Sequence, residues 1–357
     1  MKRITLSALL MTLFLLLGCG SGSTKMEDPK TTFLDSLVKI GHGFQEIFGF
    51  FGNAFGDALG LTAVKSGDQR SKVGEHFKTI GNGLSTTKEK LKALSDEISG
   101  AKNANGGTIK LVEDAIKGAN DVFEQLIDSV TKLSGVTNDT SPIGDTASAA
   151  AAVAADENSV KAIIDNVKTI IEVADKSGVK IESGAAGNQI ATANAATDAP
   201  AVLTHNAAAG QGATAKLADE VAKADPWAMI DKIKNATTNT GVLTAGNNYG
   251  AGELVTGGVV ANGAGAKTNA DLAAAVALKS MTKTGKLSAH NGNNESDVAK
   301  AAAVTAVNKV LGILDLIIRK TVSSNLNKIR EAVKGIQYSE TTTESTEATS
   351  TQSAATK

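Results

Sequence analysis

Four histidines, His42, His76, His205 and His290, one cysteine, Cys19, and 37 acidic side chains are the groups in this 357-residue chain able to bind a metal or shuttle a proton. A metal site needs ligands that converge, and a helix achieves this by placing two histidines four residues apart. No two of these histidines have that spacing, and His-Glu-x-x-His does not occur. A single cysteine allows neither an intramolecular disulfide nor a thiolate zinc site. The Gly-x-Ser-x-Gly turn that presents a hydrolase nucleophile is also missing. Two glycine-rich stretches invite comparison with phosphate loops. Gly263 to Thr268 lacks an adjacent Gly-Lys, and Gly285-Lys286-Leu287-Ser288 has leucine where a magnesium-binding hydroxyl belongs. Both read as loop glycines, with Gly285 as the residue that stops a helix. After residue 18 the only arginines are Arg70, Arg319 and Arg330, too few for a bidentate anion clamp. Carboxylates alternate with lysines, as at Lys88, Glu89, Lys90 and Lys92, which is the pattern of a solvated helix face. No catalytic residue, metal, cofactor or enzymatic activity is expected.

The lone thiol has a different use. Lys2 and Arg3 precede an almost entirely apolar run, Ile4 to Leu17. That run is shorter than the ~18–20 residues a spanning helix needs, so it reads as a signal-peptide core. It ends in Leu16-Leu17-Gly18-Cys19 and a Gly/Ser stretch, a pattern that resembles a bacterial lipobox. Residues 1–18 are expected to be removed and Cys19 to be acylated. Two or three acyl chains hold a protein firmly on a leaflet, where one is marginal. Loss of Lys2 and Arg3 lowers the formal net charge from -1 to -3, which argues against nucleic acid as a partner.

Residues 19–30 suit a flexible tether. Beyond it, apolar residues at steps of three and four predict helices over Thr31–Leu61, 72–99, 108–133 and 157–176, and across Val304–Ile336. Gly49, Gly52, Gly56 and Gly60 weaken the first helix intrinsically and predict close packing against a neighbour. The matching stripe of the C-terminal helix makes it the expected antiparallel partner, which would place both chain ends at the lipidated base. Residues 178–268 are rich in Gly, Ala, Thr and Asn. They contain one helical insert, Lys216–Ala236, in which Pro226 is placed to start a new helix. Val242-Leu243-Thr244, Leu254-Val255-Thr256 and Gly258-Val259-Val260 are the candidate short strands. Aromatics are 3% of the chain, so the core must be aliphatic. Residues 339–357, nearly all Ser, Thr, Glu and Ala, bury too little to order themselves and are expected to be a disordered tail.

Asp225-Pro226-Trp227-Ala228-Met229-Ile230-Asp231-Lys232-Ile233-Lys234 and the block from Asn269 to Lys286 resemble the constant blocks of the variable large proteins of relapsing-fever Borrelia. The resemblance extends over essentially the whole mature chain; the long Ser/Thr/Glu tail departs from it. It implies a mainly α, elongated bundle, with terminal helices packed near the membrane and a few short strands. Residues 31–338 would form one domain, with variable distal loops mainly within 135–296, near 135–147, 178–214, 238–268 and 287–296. It implies that the 269–286 block is buried. It further implies a surface-exposed, outer-membrane lipoprotein of an antigenic-variation system, replaced serially by recombination from silent genes. Its partners would be the outer membrane, through the lipid on Cys19, and host antibodies. The alternative is an adhesin for host glycosaminoglycan or a serum protein. A monomer or weak dimer is expected.

Overall fold

The computed structural model describes residues 28–56, 63–192, 195–261, 263–292 and 294–339. Cys19 and the expected signal segment, most of the tether, and the tail beyond Ser339 lie outside the described residues.

Several helices start after a side chain that holds the first free amides, as Asn105, Asp156, Asp225 and Thr268 do. Helix α1 (Pro29–Gly56) begins with proline, whose fixed φ suits a first turn. Helix α2 (Ser71–Ser99) and helix α3 (Gly106–Val136) follow. At the start of α3 the Asn105 side chain accepts from the amides of Gly107 and Thr108. Strand β1 (Thr146–Ser148) precedes helix α4 (Glu157–Lys176), capped by Asp156. The short helix α5 (Ala201–Thr204), helix α6 (Ala213–Lys223) and helix α7 (Pro226–Lys234) come next. As the sequence predicted, Pro226 opens a new helix, with Asp225 as its cap. Strand β2 (Asn248–Tyr249), helix α8 (Ala251–Thr256), strand β3 (Gly265–Ala266), helix α9 (Asn269–Met281) and strand β4 (Leu287–Ala289) lead to helix α10 (Glu295–Lys334). β1 pairs with β4 and β2 with β3, both parallel.

The molecule is mainly helical, and α10 is its spine. Its 40 residues extend about 60 Å at 1.5 Å per residue. It touches α3, α4, α6, α7 and α9, and the most extensive helix pair is α2 with α3. The core is built from Leu, Ile, Val and Ala, with Phe77 and Phe123 as its fully buried rings. Alanines at 273–275, 277, 299, 302, 303 and 306 let helix backbones approach closely. Val202, Leu217, Val221, Ile230, Ile233, Leu254 and Val255 belong to the same core, so residues 201–256 do not form a separate unit.

Several expectations are corrected. α1 lies along α2 rather than along the C-terminal helix: the Lys90 ammonium stands 5.7 Å from the Phe50 ring centre, and Gly43 faces Leu94. Its wide aromatic stripe finds a full-length apolar partner in α2, whereas α10 is already covered by other helices. The start of α1 and the segment after α10 still meet, since Phe33 and Tyr338 stack edge to face at 5.5 Å and Ala104 bridges to Tyr338. Gly49 and Gly52 do not mark close packing, because no atom lies within 4 Å of a Cβ built on either; the close approach falls instead at Gly43, where a Cβ would stand 3.2 Å from Leu94. Leu254-Val255-Thr256 is the end of α8, not a strand. Glu253 and Asp271 accept from the amides of Gly250 and Ala251, and so fix a helical first turn against β-branched preference. Val242 and Val260 make only single bridges, to Gly258 and His205.

Candidate functional site

The four histidines are spread over the molecule. His42 is exposed on α1, His76 lies 3.0 Å from Asp315, His205 bonds locally with Ala207, and His290 follows β4. Among the described residues no three His, Cys, Asp or Glu side chains are grouped to hold a metal. A groove of about 300 Å³ between α3, the end of α4 and α10 is lined by Ala115, Gly118, Val122, Lys176, Asn325 and Lys328. Its lysines stand at the end of α4 and on α10, and it holds no acid–base pair.

The chemistry of the fold is structural and centres on α9. Every residue from Asn269 to Met281 is buried. Leucine, valine and methionine separated by alanines leave no face too bulky for a neighbour. The burial includes Lys279, whose Nζ donates to the Leu203 carbonyl at the end of α5, 3.1 Å away. Desolvation pushes its pKa down to about 7. A lone lysine inside an otherwise apolar helix was the sequence sign of this group, and periodicity alone passes over it.

Arg70 is the second buried cation, 1% exposed. Its guanidinium donates to the Gly285 carbonyl and stands 3.5 Å from Asp139, while its amide donates to Ser141. Burial lowers its pKa against the opposing charges of Asp139 and Asp145. One side chain thus ties the start of α2, the turn after α3 and the turn after α9. Gly285 is not a helix stop: α9 ends at Met281, and Thr284 takes the left-handed conformation at φ 64°. Glycine is needed at 285 because a Cβ there would stand 2.8 Å from the Lys279 carbonyl oxygen. Nor are the two glycine-rich stretches phosphate loops. The Thr268 hydroxyl accepts from the Asp271 amide as the cap of α9, and Lys267 pairs with Glu253.

α10 fixes the rest. Glu295 accepts from the Gly212 amide and the Thr214 hydroxyl, so its carboxylate sits at the N-terminus of α6. Burial raises its pKa, but the bonds from Thr214 and Gly212 outweigh it and hold the group below the ordinary carboxylate value. Lys309 donates to the carbonyls of Val221, Ala222 and Ala224 at 2.7–2.8 Å, at the other end of α6. Asp315 binds His76 of α2, and burial raises its pKa. α10 is long and apolar enough to cross a membrane by composition, but these polar contacts and its buried face make it the core helix of the bundle.

Exposed connections lie over this frame. Residues 182–189 and 235–247 are largely at the surface; Val242 is 72% exposed and Leu243 is the buried exception. Asn291 and Gly292 are exposed between β4 and α10. The exposed part of the predicted loops is narrower than expected. Within the predicted loops, α5, α8, β3 and β4 are largely or wholly buried, because each supplies apolar side chains or ladder bonds to the common core.

This long-spined bundle, with its buried α9 and short parallel ladders, defines a mainly helical class of protein built on one core. Residues 44–333 match the Borrelia lipoprotein family, and the chain belongs to it. It is similar to variable large protein 14 of Borrelia hermsii, 62% identical over 355 residues, covering 97% of each chain. Variable large protein 12 of the same organism is 55% identical, covering 98% of this chain and 97% of that one. The crystal structure of the Lyme disease variable surface antigen VlsE of Borrelia burgdorferi matches with a TM-score of 0.68 at 28% identity. That match covers 84% of this chain and 98% of VlsE.

Proposed function

We propose that this chain is a lipid-anchored coat antigen of the outer surface, non-catalytic, whose exposed loops meet host antibody and are exchanged by recombination from silent genes. The observation that carries the reading is a family in which one organism holds several full-length relatives that differ in sequence, two of them 62% and 55% identical to this chain. Such divergence at constant length suits a fixed frame under a changeable surface. A few residues in a patch dominate antibody binding, so substitutions in the 182–189 and 235–247 connections abolish recognition while the core still folds. The anchor is Cys19, acylated after removal of residues 1–18, and the membrane is the standing partner.

The test has two parts. Cys19→Ser is expected to shift the protein from the membrane fraction to the soluble one, and to remove it from the pool cleaved by protease on intact cells. Sequencing of the expressed locus in cells surviving specific immune serum is expected to find it replaced. Survivors with an unchanged, still displayed protein would count against antigenic exchange.

A further inference from the structure

Four Asn-Gly pairs occur in the sequence: Asn82-Gly83, Asn105-Gly106, Asn262-Gly263 and Asn291-Gly292. Glycine after asparagine leaves the next backbone nitrogen unshielded by a Cβ and free to reach unusual dihedrals. That nitrogen can attack the side-chain amide carbon when the main chain lets the two meet. The fold treats the pairs differently. Asn82 and Gly83 lie inside α2, where helical dihedrals hold the nitrogen away from the side chain. Asn105 is a cap: its Oδ1 accepts from the amides of Gly107 and Thr108 at 3.0 and 3.3 Å, which fixes the carboxamide. Asn262 is outside the described residues and serves as no control.

Asn291 and Gly292 differ from these. Both are exposed and belong to neither helix nor strand. Gly292 has φ 156°, and two ring atoms of His290 lie 3.7 and 3.9 Å from where a Cβ would stand. The Gly292 amide is held only by a tight local turn to the His290 carbonyl, 3.1 Å away. Opening that one bond frees the nitrogen.

We infer that Asn291 is a site of spontaneous deamidation. The Gly292 nitrogen bonds to Cγ of Asn291, the Cγ–Nδ2 bond breaks, and ammonia leaves carrying the displaced amide proton. Water then opens the cyclic imide at either carbonyl and gives aspartate or isoaspartate. No enzyme, metal or oxidant is required. The product carries one added negative charge at the start of α10, the end of that helix opposite the Phe33–Tyr338 contact. The isoaspartate form also lengthens the main chain there by one carbon. The chemistry stands without the coat reading; only its consequence for antibody rests on that reading.

The full chain, kept folded in detergent or unfolded in urea, is incubated at neutral pH and body temperature and followed by peptide mass mapping. In the unfolded chain Asn82, Asn105 and Asn291 are expected to convert at similar rates. In the folded chain Asn291 keeps converting, while Asn82 and Asn105 slow by roughly tenfold or more, equivalent to about 1.4 kcal/mol of barrier. Folded protein in which Asn291 is as protected as the other two overturns the inference. Gly292→Ala, which hinders the nitrogen, is expected to slow the reaction at Asn291 in the unfolded chain as well; an unchanged rate there rules out the cyclic route. Serum raised against fresh protein is expected to bind aged protein and Asn291→Asp more weakly. Equal binding to all three removes the antigenic consequence and leaves the mass result to decide the chemistry.

Discussion

An amine buried without a carboxylate partner titrates far below its solution value, and that displacement is written into the pH dependence of folding. In the unfolded chain the Lys279 amine keeps its proton up to about its ordinary 10.5, and in the fold it releases it near 7. Between these values the unfolded state binds more protons, so stability rises with pH across the window and is flat below it. The cost carried at pH 7 and below is on the order of 5 kcal/mol. Lys279→Met is therefore expected to raise the urea midpoint at pH 7 and to lose most of that advantage by pH 10. A difference independent of pH would show that Lys279 is not the titrating group. Arg70 predicts the opposite sign, because it leaves a carboxylate as well as a carbonyl behind, whereas Lys279 leaves one carbonyl. Arg70→Met leaves the Gly285 carbonyl without its donor and Asp139 without its cation, and is expected to cost about 3–5 kcal/mol in urea unfolding. Arg70→Met with Asp139→Asn recovers part of the loss.

Helical glycines divide into those that tolerate a Cβ and those that do not. Gly49→Ala in α1 meets nothing within 4 Å, and is expected to stabilise by about 0.5–1 kcal/mol through backbone entropy. Gly74→Ala in α2 places a Cβ 2.9 Å from the Ser134 carbonyl oxygen and is expected to lower the melting temperature. The two variants share one substitution and differ in sign, which thermal unfolding reads directly. The same contrast explains what the sequence could and could not reveal. α2, α3, α4 and α10 were legible because a long apolar stripe specifies a helix without its partner. The burial of α9 was legible from its alanine-spaced leucines and its family resemblance. α8 and the four strands were not, because their bonds come from residues far away in sequence, as Asp271 serves Ala251 and Leu287–Ala289 serve Thr146–Ser148; α5 is only four residues long. The neighbour of α1 was misjudged for a related reason: periodicity defines a face but not what covers it. Arg70 and Lys309 leave no such sign, because a cation capping carbonyls makes no mark in spacing, whereas Lys279 shows as a lysine among the leucines and alanines of α9.

A chain of this length has enough residues for two domains, yet its buried side chains form one cluster. Residues 201–256 contribute to that cluster through α6, α7 and α8, all of which touch α9 or α10. Exchanging sequence in this region is then safe only where backbone and side chains both face solvent. Calorimetry is expected to show a single transition in the body containing α2 to α10, with calorimetric and van't Hoff enthalpies in agreement. α1 is the exception, since it rests mainly on α2, and its amides are expected to exchange with solvent before those of α10. Replacing residues 237–242 by a sequence of different charge and equal length should leave the main transition within about 0.5 kcal/mol, the range of surface substitutions. Extending the same replacement through Leu243 should lower it, because Leu243 is 2% exposed. A protein in which both replacements melt alike would lack the boundary between frame and surface on which the proposed exchange of loops rests.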